Sequence, residues 1–275
     1  MAVKSTNGIP MLGLGTFGRT GGEGLEALLA AIEIGYRHID TAQSYGTEEN
    51  VGEAVRRSGL PRGEIFITTK VADTNLGKDE VLPSIEKSLE TLGVDTIDLL
   101  LIHWPSKDDA VPFEDYMLKL AEAKERGFAQ RIGVSNYPVA DLQRAEALLG
   151  RGALATNQVE LHVYLQSPKL SAHAKAIGMP LTAYRPLAKA AANDDATLKE
   201  IAGRHGVTAA AVALAFLMAE GHIVIPASGN PARLAANFAA HTVALAADEV
   251  AAIRTLDRGE RGIDPDKAPA WDDGK

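Results

Sequence analysis

Eight short apolar runs alternate along this chain with segments whose apolar residues recur at helical spacing, and such alternation builds a parallel sheet with helices packed on it. The runs lie at Met11 to Gly15, Arg37 to Asp40, Ile65 to Lys70, Ile97 to His103, Ile132 to Ser135, Asn157 to Glu160, Leu181 to Tyr184 and Ile223 to Pro226. Three of them end on a polar residue of distinct chemistry, namely Asp40, Lys70 and His103, and Tyr45 follows five residues beyond Asp40. In (β/α)₈ proteins the reactive side chains come from the C-terminal ends of different strands. The expected fold is therefore α/β, a (β/α)₈ TIM barrel in a single domain spanning 1–275, with an irregular C-terminal loop over 259–275.

Length agrees, because barrels of roughly 250 residues are ordinary single domains. A hydrophobic fraction of 46% with 23% charged residues leaves enough apolar material for a large core. The net charge of −8 argues against a nucleic-acid surface, which needs clustered Lys and Arg. The chain has no cysteine, which removes disulfides, thiolate zinc sites and cysteine nucleophiles from consideration. Residues 1–8 carry no apolar signal core. The longest wholly apolar stretch, Ala209 to Ala219, falls short of the roughly 18 residues that span a bilayer. That stretch is expected to be a buried helix, with no membrane partner and a cytoplasmic location.

Between the strands, Leu25, Leu28, Leu29 and Ile32 precede Gly35, and Val81, Ile85, Leu89 and Leu92 precede Gly93, each an apolar helix face stopped by glycine. Two helices, Asp194 to His205 and Thr208 to Ala219, are expected in the widest gap. Gly13-Leu14-Gly15-Thr16-Phe17-Gly18 fits the dinucleotide fingerprint G-x-G-x-x-G. The fingerprint should open a helix directly, and Arg19-Thr20-Gly21-Gly22 intervenes, so a Rossmann domain is not expected. His38, two residues before Asp40 on the same strand face, reads as a packed barrel histidine.

Taken together, Asp40-Thr41-Ala42-Gln43-Ser44-Tyr45-Gly46, Thr69-Lys70, His103-Trp104-Pro105, Gly133-Val134-Ser135-Asn136 and Asn157-Gln158-Val159-Glu160 closely resemble the motifs of the aldo-keto reductase family, in the family's order. The resemblance runs from about Gly13 to Asn237. It implies a monomeric enzyme that reduces small-molecule aldehydes or ketones with NADPH, NADH being a second choice, and that needs no metal. By the same resemblance Tyr45 is the general acid, Lys70 and Asp40 are its supporting ion pair, and His103 directs the substrate carbonyl. The chemistry suits these residue types: a phenol with a pKa near 10 is a reluctant proton donor, and a nearby ammonium can lower that value by about 1–3 units.

The cofactor contacts implied by the resemblance are Gly15, Thr16, Asp40, Ser135, Asn136, Gln158, Tyr184, Arg185, Leu187, Ser228, Arg233 and Asn237. Ser135, Asn136 and Gln158 match the set that holds the nicotinamide carboxamide, and Tyr184 matches the ring stacked on it. Taken alone, Ser135-Asn136 would read as a helix cap before Pro138. Three positions depart from the family, one of them Ala236, which replaces a frequent acidic residue. Ala227 stands where a lysine often meets the 2′-phosphate, and Arg185 replaces a serine, which would put a charge on the pyrophosphate.

Phe17 and Trp104 match positions lining the substrate pocket, and Trp271 is placed to close it from the tail. The loops after His103 and Leu187 are short for the family, which implies an open site for small or varied carbonyls. Two other functions compete: a nicotinamide-binding regulatory or redox-sensing subunit without turnover, and a metal-dependent barrel hydrolase built on His38, Asp40 and His103.

Overall fold

The structure, a computed structural model, describes residues 2–272. Its main sheet contains, in chain order, β1 (Leu14–Gly15), β2 (His38–Asp40), β3 (Phe66–Val71), β4 (Ile97–Ile102), β5 (Ala129–Ser135), β6 (Leu154–Glu160), β7 (Leu181–Tyr184) and β8 (Ile223–Val224). Each strand pairs in parallel with its successor, so spatial order equals chain order. The ring closes between its first and last strands through the parallel bridge Leu12–Val224, with Gly13 N donating to Val224 O at 2.9 Å and Gly15 N to Pro226 O at 3.1 Å. This is the expected (β/α)₈ barrel.

Ten α-helices are present among the described residues: α1 (Gly21–Ile34), α2 (Glu48–Ser58), α3 (Val81–Leu92), α4 (Phe113–Glu125), α5 (Val139–Leu149), α6 (Pro168–Ala176), α7 (Ala196–His205), α8 (Ala209–Ala219), α9 (Pro231–Phe238) and α10 (Ala247–Arg254). The two helices expected in the widest gap are α7 and α8, and residues 209–217 of α8 are buried. No single described helix is long and apolar enough to cross a membrane, although α7 and α8 pass that test together with a 91° bend between them. The main core lies between the strands and the helices, and includes Leu28, Ile39, Ile67, Leu100, Val134, Leu181 and Leu214.

Inside the ring the pleat alternation stacks the inward side chains in layers. At the N-terminal end Ile9, Leu99, Leu101 and Ile223 form a small separate apolar cluster. Ile9 belongs to a hairpin, Ser5–Thr6 with Ile9–Pro10, that precedes the barrel. Above that layer His38 bonds through Nδ1 with Pro10 O at 3.1 Å and through Nε2 with Thr68 Oγ1 at 3.0 Å, as befits a packed histidine. The next inward positions on these strands are Asp40 and Lys70, and His103 lies one step beyond β4. Asp40 pairs in register with Thr68 rather than with Lys70. Strand tilt thus staggers the ends and aims Lys70 over the acid.

Some expected boundaries shift. β5 and β6 begin earlier than the apolar runs, at Ala129 and Leu154; in β5 exposed Gln130 and half-buried Arg131 interrupt the hydrophobic pattern without interrupting the ladder. β8 ends at Val224 because the chain beyond it bonds across the closure to β1. Only Arg19 and Thr20 separate Gly18 from α1, fewer residues than the sequence spacing implied, yet the strand before them belongs to a barrel.

Candidate active site

Lys70 is fully buried and its ammonium makes three contacts, donating to Asp40 Oδ1 at 2.5 Å, Thr41 O at 2.8 Å and Tyr45 Oη at 3.5 Å. Asp40 is 2% exposed, and its second oxygen accepts from Gln158 Nε2 at 2.6 Å. Both charges are therefore paired and hydrogen-bonded, the condition under which a buried ion pair is tolerated. Tyr45 reaches this pair from a 3₁₀ turn, Gln43–Tyr45, stopped by Gly46 at φ +65°. His103 faces the phenol from the opposite side, with Nε2 3.4 Å from Tyr45 Oη and Nδ1 3.4 Å from Ser44 Oγ. When the Ser44 hydroxyl donates to Nδ1, the ring proton sits on Nε2 and faces the phenol.

Electrostatics follow from burial. Desolvation raises the Tyr45 pKa, and the adjacent Lys70 only partly offsets it. The expected lowering of the phenol's pKa is thus reversed here: burial of the phenol outweighs the ammonium's field. Burial works against the charge on Lys70, but Asp40 and Tyr45 outweigh it and the pKa is raised. Burial, helped by Lys70 and Lys267, pushes His103 down to about 2, so its imidazole is neutral. Glu48, beneath the site, accepts from Thr69 Oγ1 at 2.6 Å, and burial raises its pKa.

Next to the acid and base stands a wall rich in amides. Ser135 Oγ donates to Gln158 O at 2.8 Å, and Asn136 Nδ2 donates to His103 O at 3.0 Å and Ser135 Oγ at 3.1 Å. Tyr184 Oη donates to Asn136 Oδ1 at 2.9 Å. Asn136 adopts a left-handed backbone, φ +66°, and α5 starts only at Val139 behind Pro138 with no side-chain cap. A capping role for Ser135-Asn136 is therefore ruled out; both side chains serve the barrel mouth. Gln158 spends its Nε2 on Asp40, leaving Oε1 without a donor among the described residues. An open acceptor beside hydroxyl and amide groups fits a nicotinamide carboxamide, which offers both donor and acceptor.

Beyond β8, Ser228 Oγ receives Arg233 Nε at 3.4 Å and Asn230 N at 3.2 Å, and the Asn230 side chain caps α9 by accepting from Arg233 N at 3.1 Å. Asn237, near the end of the same helix, is 5% exposed. Basic and hydroxyl groups at a helix N-terminus fit a phosphate.

Four of the residues expected at the cofactor also make contacts within the chain. The Arg185 guanidinium is engaged by Glu160 Oε1 at 3.1 Å, because its backbone, φ +51°, turns it toward the end of β6. The Thr16 hydroxyl lies 2.9 Å from that of Thr47, which in turn lies 2.8 Å from that of Thr41, so it is used inside a buried threonine chain. Gly15 serves the closure, since a Cβ there would fall 2.9 Å from Ile225 O. Leu187 is partly buried against the main core.

Phe17, 71% exposed, sets its ring edge-on to Tyr45 at 5.1 Å. Trp104 is buried and meets Trp271 of the tail at 6.4 Å between centroids. The described tail is irregular but pinned. Glu160 Oε2 accepts from Gly262 N at 2.9 Å and Ile263 N at 2.8 Å, Lys267 pairs with Asp73 at 2.7 Å, and Arg261 stacks on Trp271 at 3.7 Å. The carboxylate of Glu160 was legible only as part of a motif, with no task, since the backbone donors it holds lie 102 and 103 residues away. Among the described residues no group of three or more His, Cys, Asp or Glu side chains is placed to hold a metal ion. With both nitrogens of His38 already bonded inside the barrel, the hydrolase built on it has no ligand set.

Fold and site together define a parallel barrel whose C-terminal mouth holds a buried Asp–Lys pair, a phenol and a neutral imidazole beside an amide-rich wall. The chain belongs to the aldo/keto reductase family, whose sequence profile matches residues 11–258. It is 44% identical over 265 residues to the methylglyoxal reductase DkgB of Salmonella typhimurium, covering 96% of this chain and 99% of that protein. A solved structure described as a candidate 2,5-diketo-D-gluconic acid reductase B superposes with a TM-score of 0.93 at 42% identity, over 99% of this chain and 98% of the other. The Bombyx mori aldo-keto reductase in complex with NADP matches with a TM-score of 0.85 at 33% identity, over 93% of this chain and 92% of that one.

Proposed function

We propose that Tyr45 is the general acid through which this chain, an NADPH-dependent aldo-keto reductase, reduces aldehyde and ketone carbonyls to alcohols. One observation carries the assignment: Lys70 Nζ donates to Tyr45 Oη and His103 Nε2 lies within reach of the same oxygen, so that with the imidazole proton on Nε2 the phenol's own proton is left for a substrate oxygen. These contacts are long, as catalytic hydrogen bonds often are before substrate is gripped. NADPH supplies the hydride that adds to the carbonyl carbon. As the electron pair moves onto oxygen, His103 Nε2–H stabilises the developing charge and Tyr45 delivers its proton. The phenolate left behind lies beside the Lys70 ammonium, which Asp40 and Thr41 O hold in place. Ser135, Asn136, Gln158 and Tyr184 would hold the nicotinamide, and Ser228, Arg233 and Asn237 the adenosine phosphates.

The substrates proposed are small carbonyl compounds, and methylglyoxal, named for the Salmonella relative, is the first to assay. The proposal extends to a monomer in the cytoplasm, which sedimentation and cell fractionation test. The decisive experiment is Tyr45→Phe, which keeps ring packing and removes the proton. Reduction followed at the NADPH absorbance should slow by about 10²–10⁴-fold while NADPH affinity is retained. Undiminished turnover would assign the acid elsewhere, and an absence of turnover by the parent protein would favour the regulatory-subunit alternative.

A further inference from the structure

The chain lacks a cation at position 227, where Ala227 follows the last strand, yet an arginine from the other side of the barrel closure comes up against Gly229, two residues on. The loop leaving β1 runs beside the segment leaving β8. Gly15 N donates to Pro226 O at 3.1 Å, and a Cβ on Gly15 would lie 3.7 Å from that of Ala227. The loop then turns tightly, Arg19 N donating to Thr16 O at 2.9 Å, and Asn50 Nδ2 holds the far side by donating to Arg19 O at 3.3 Å and Gly21 O at 2.9 Å. From this fixed backbone the Arg19 side chain crosses to Gly229, where Nη1 lies 3.7 Å from the place a Cβ would occupy. Gly229 is flanked by Ser228 and by Asn230, the cap of α9.

Charge accounting separates Arg19 from most of the chain's arginines. Arg56, Arg62, Arg144, Arg185, Arg204 and Arg254 each pair with a carboxylate. Arg19 and Arg233 have no carboxylate partner among the described residues, and Arg19 Nε is buried without a hydrogen-bond partner. In a protein of net charge −8, two guanidinium groups without a carboxylate partner, Arg233 on the nearly buried Ser228 hydroxyl and Arg19 against the adjoining Gly229, make a place suited to an anion.

We propose that Arg19 reads the 2′-phosphate of NADPH, taking over from the β1 side the charge that residue 227 lacks. This rests on the adenosine-phosphate assignment of Ser228 and Arg233 above and adds the residue that sets the preference for a phosphorylated ribose. A 2′-phosphate is a dianionic monoester with three acceptor oxygens, and a planar guanidinium offers it paired donors. Arg233 and the Ser228 hydroxyl meet it from the helix side; Arg19 meets it from across the closure.

The test is binding, not turnover. Dissociation constants for NADPH, NADH, 2′,5′-ADP and 5′-ADP are measured by titration calorimetry on the parent chain, Arg19→Gln and Arg19→Lys, after thermal melts show that the variants fold. Arg19→Gln should weaken NADPH and 2′,5′-ADP by roughly 10- to 100-fold, the size of a lost charge-assisted hydrogen bond. NADH and 5′-ADP should stay within about twofold, and Arg19→Lys should recover part of the loss, since it restores charge but not the fork. Equal weakening of NADPH and NADH would put Arg19 on the pyrophosphate and overturn the assignment, as would no weakening. A parent chain that binds 2′,5′-ADP no better than 5′-ADP would overturn the phosphate assignment of Ser228 and Arg233 itself, a result distinct from a parent preference that Arg19→Gln leaves intact.

Discussion

Replacing Lys70 by methionine separates the structural task of the buried ion pair from its chemical one. Lys70 is fully buried and Asp40 is 2% exposed, so removing the ammonium leaves a carboxylate with Gln158 Nε2 as its side-chain donor. Breaking a buried pair in this one-sided way costs about 3–5 kcal/mol. For a chain of this size each kcal/mol lowers the melting temperature by about 2–4 °C, so Lys70→Met should melt roughly 6–20 °C below the parent. Adding Asp40→Asn removes the stranded charge while keeping an oxygen for Gln158, and should recover about 1–3 kcal/mol. Catalysis should not recover with it, because the phenolate formed after proton transfer still lacks its cation. Denaturant melts of the four proteins of this cycle give the coupling, and carbonyl reduction assayed on the same samples gives the chemistry. A single variant as stable as the parent, or a double variant no more stable than the single, would refute the buried-pair reasoning; a double variant that regains turnover would refute the role of the ammonium.

Three further outcomes follow from the site. Because the His103 pKa is pushed down to about 2 and that of Tyr45 is raised, kcat/KM for reduction should show no histidine limb near pH 6.5 and should fall only as alkaline pH removes the Tyr45 proton, above about pH 10. A limb centred near pH 6.5 would contradict this. The same depression applies to stability: His103, and His222 at about 4, are neutral when folded and take up protons on unfolding, so stability should decline as pH falls below about 6.5. Glu160→Gln should loosen the tail, since it weakens the acceptor of Gly262 N and Ile263 N and releases Arg185. Faster proteolytic cutting within 259–272 and a KM for carbonyl that rises more than kcat falls are expected; an unchanged cutting rate would show that other contacts hold the tail.

Much of the site was legible because strand ends in a barrel converge by construction. Once Asp40, Lys70 and His103 were read as ends of successive strands, their meeting needed no further information, and the positions observed agree. The buried α8 was legible for a similar reason, since a wholly apolar segment has no solvent face. The less legible residues depend on contacts made across the ring. The Thr16 hydroxyl meets that of Thr47, a contact that no local pattern reveals. Arg185 has a carboxylate partner that the local sequence does not reveal, because the register that sets Glu160 opposite Tyr184 brings the two together. Arg19 read as a spacer because nothing local reveals that its loop ends beside Gly229.

Periodicity, the placement of polar residues at run ends and the family motifs thus determined by themselves the barrel class and the reductase chemistry, and singled out Tyr45, Lys70, Asp40 and His103 as the residues proposed for it. Those features are local, repeated and tied to strand direction. Tertiary structure alone decided which groups are spent on one another and which stay open for a ligand. It paired Arg185 with Glu160, pinned the tail, reversed the direction of the Tyr45 shift and left Arg19 without a carboxylate. Burial and closure join residues that are far apart in the chain, and the free energy of a charge depends on who its neighbours are in space.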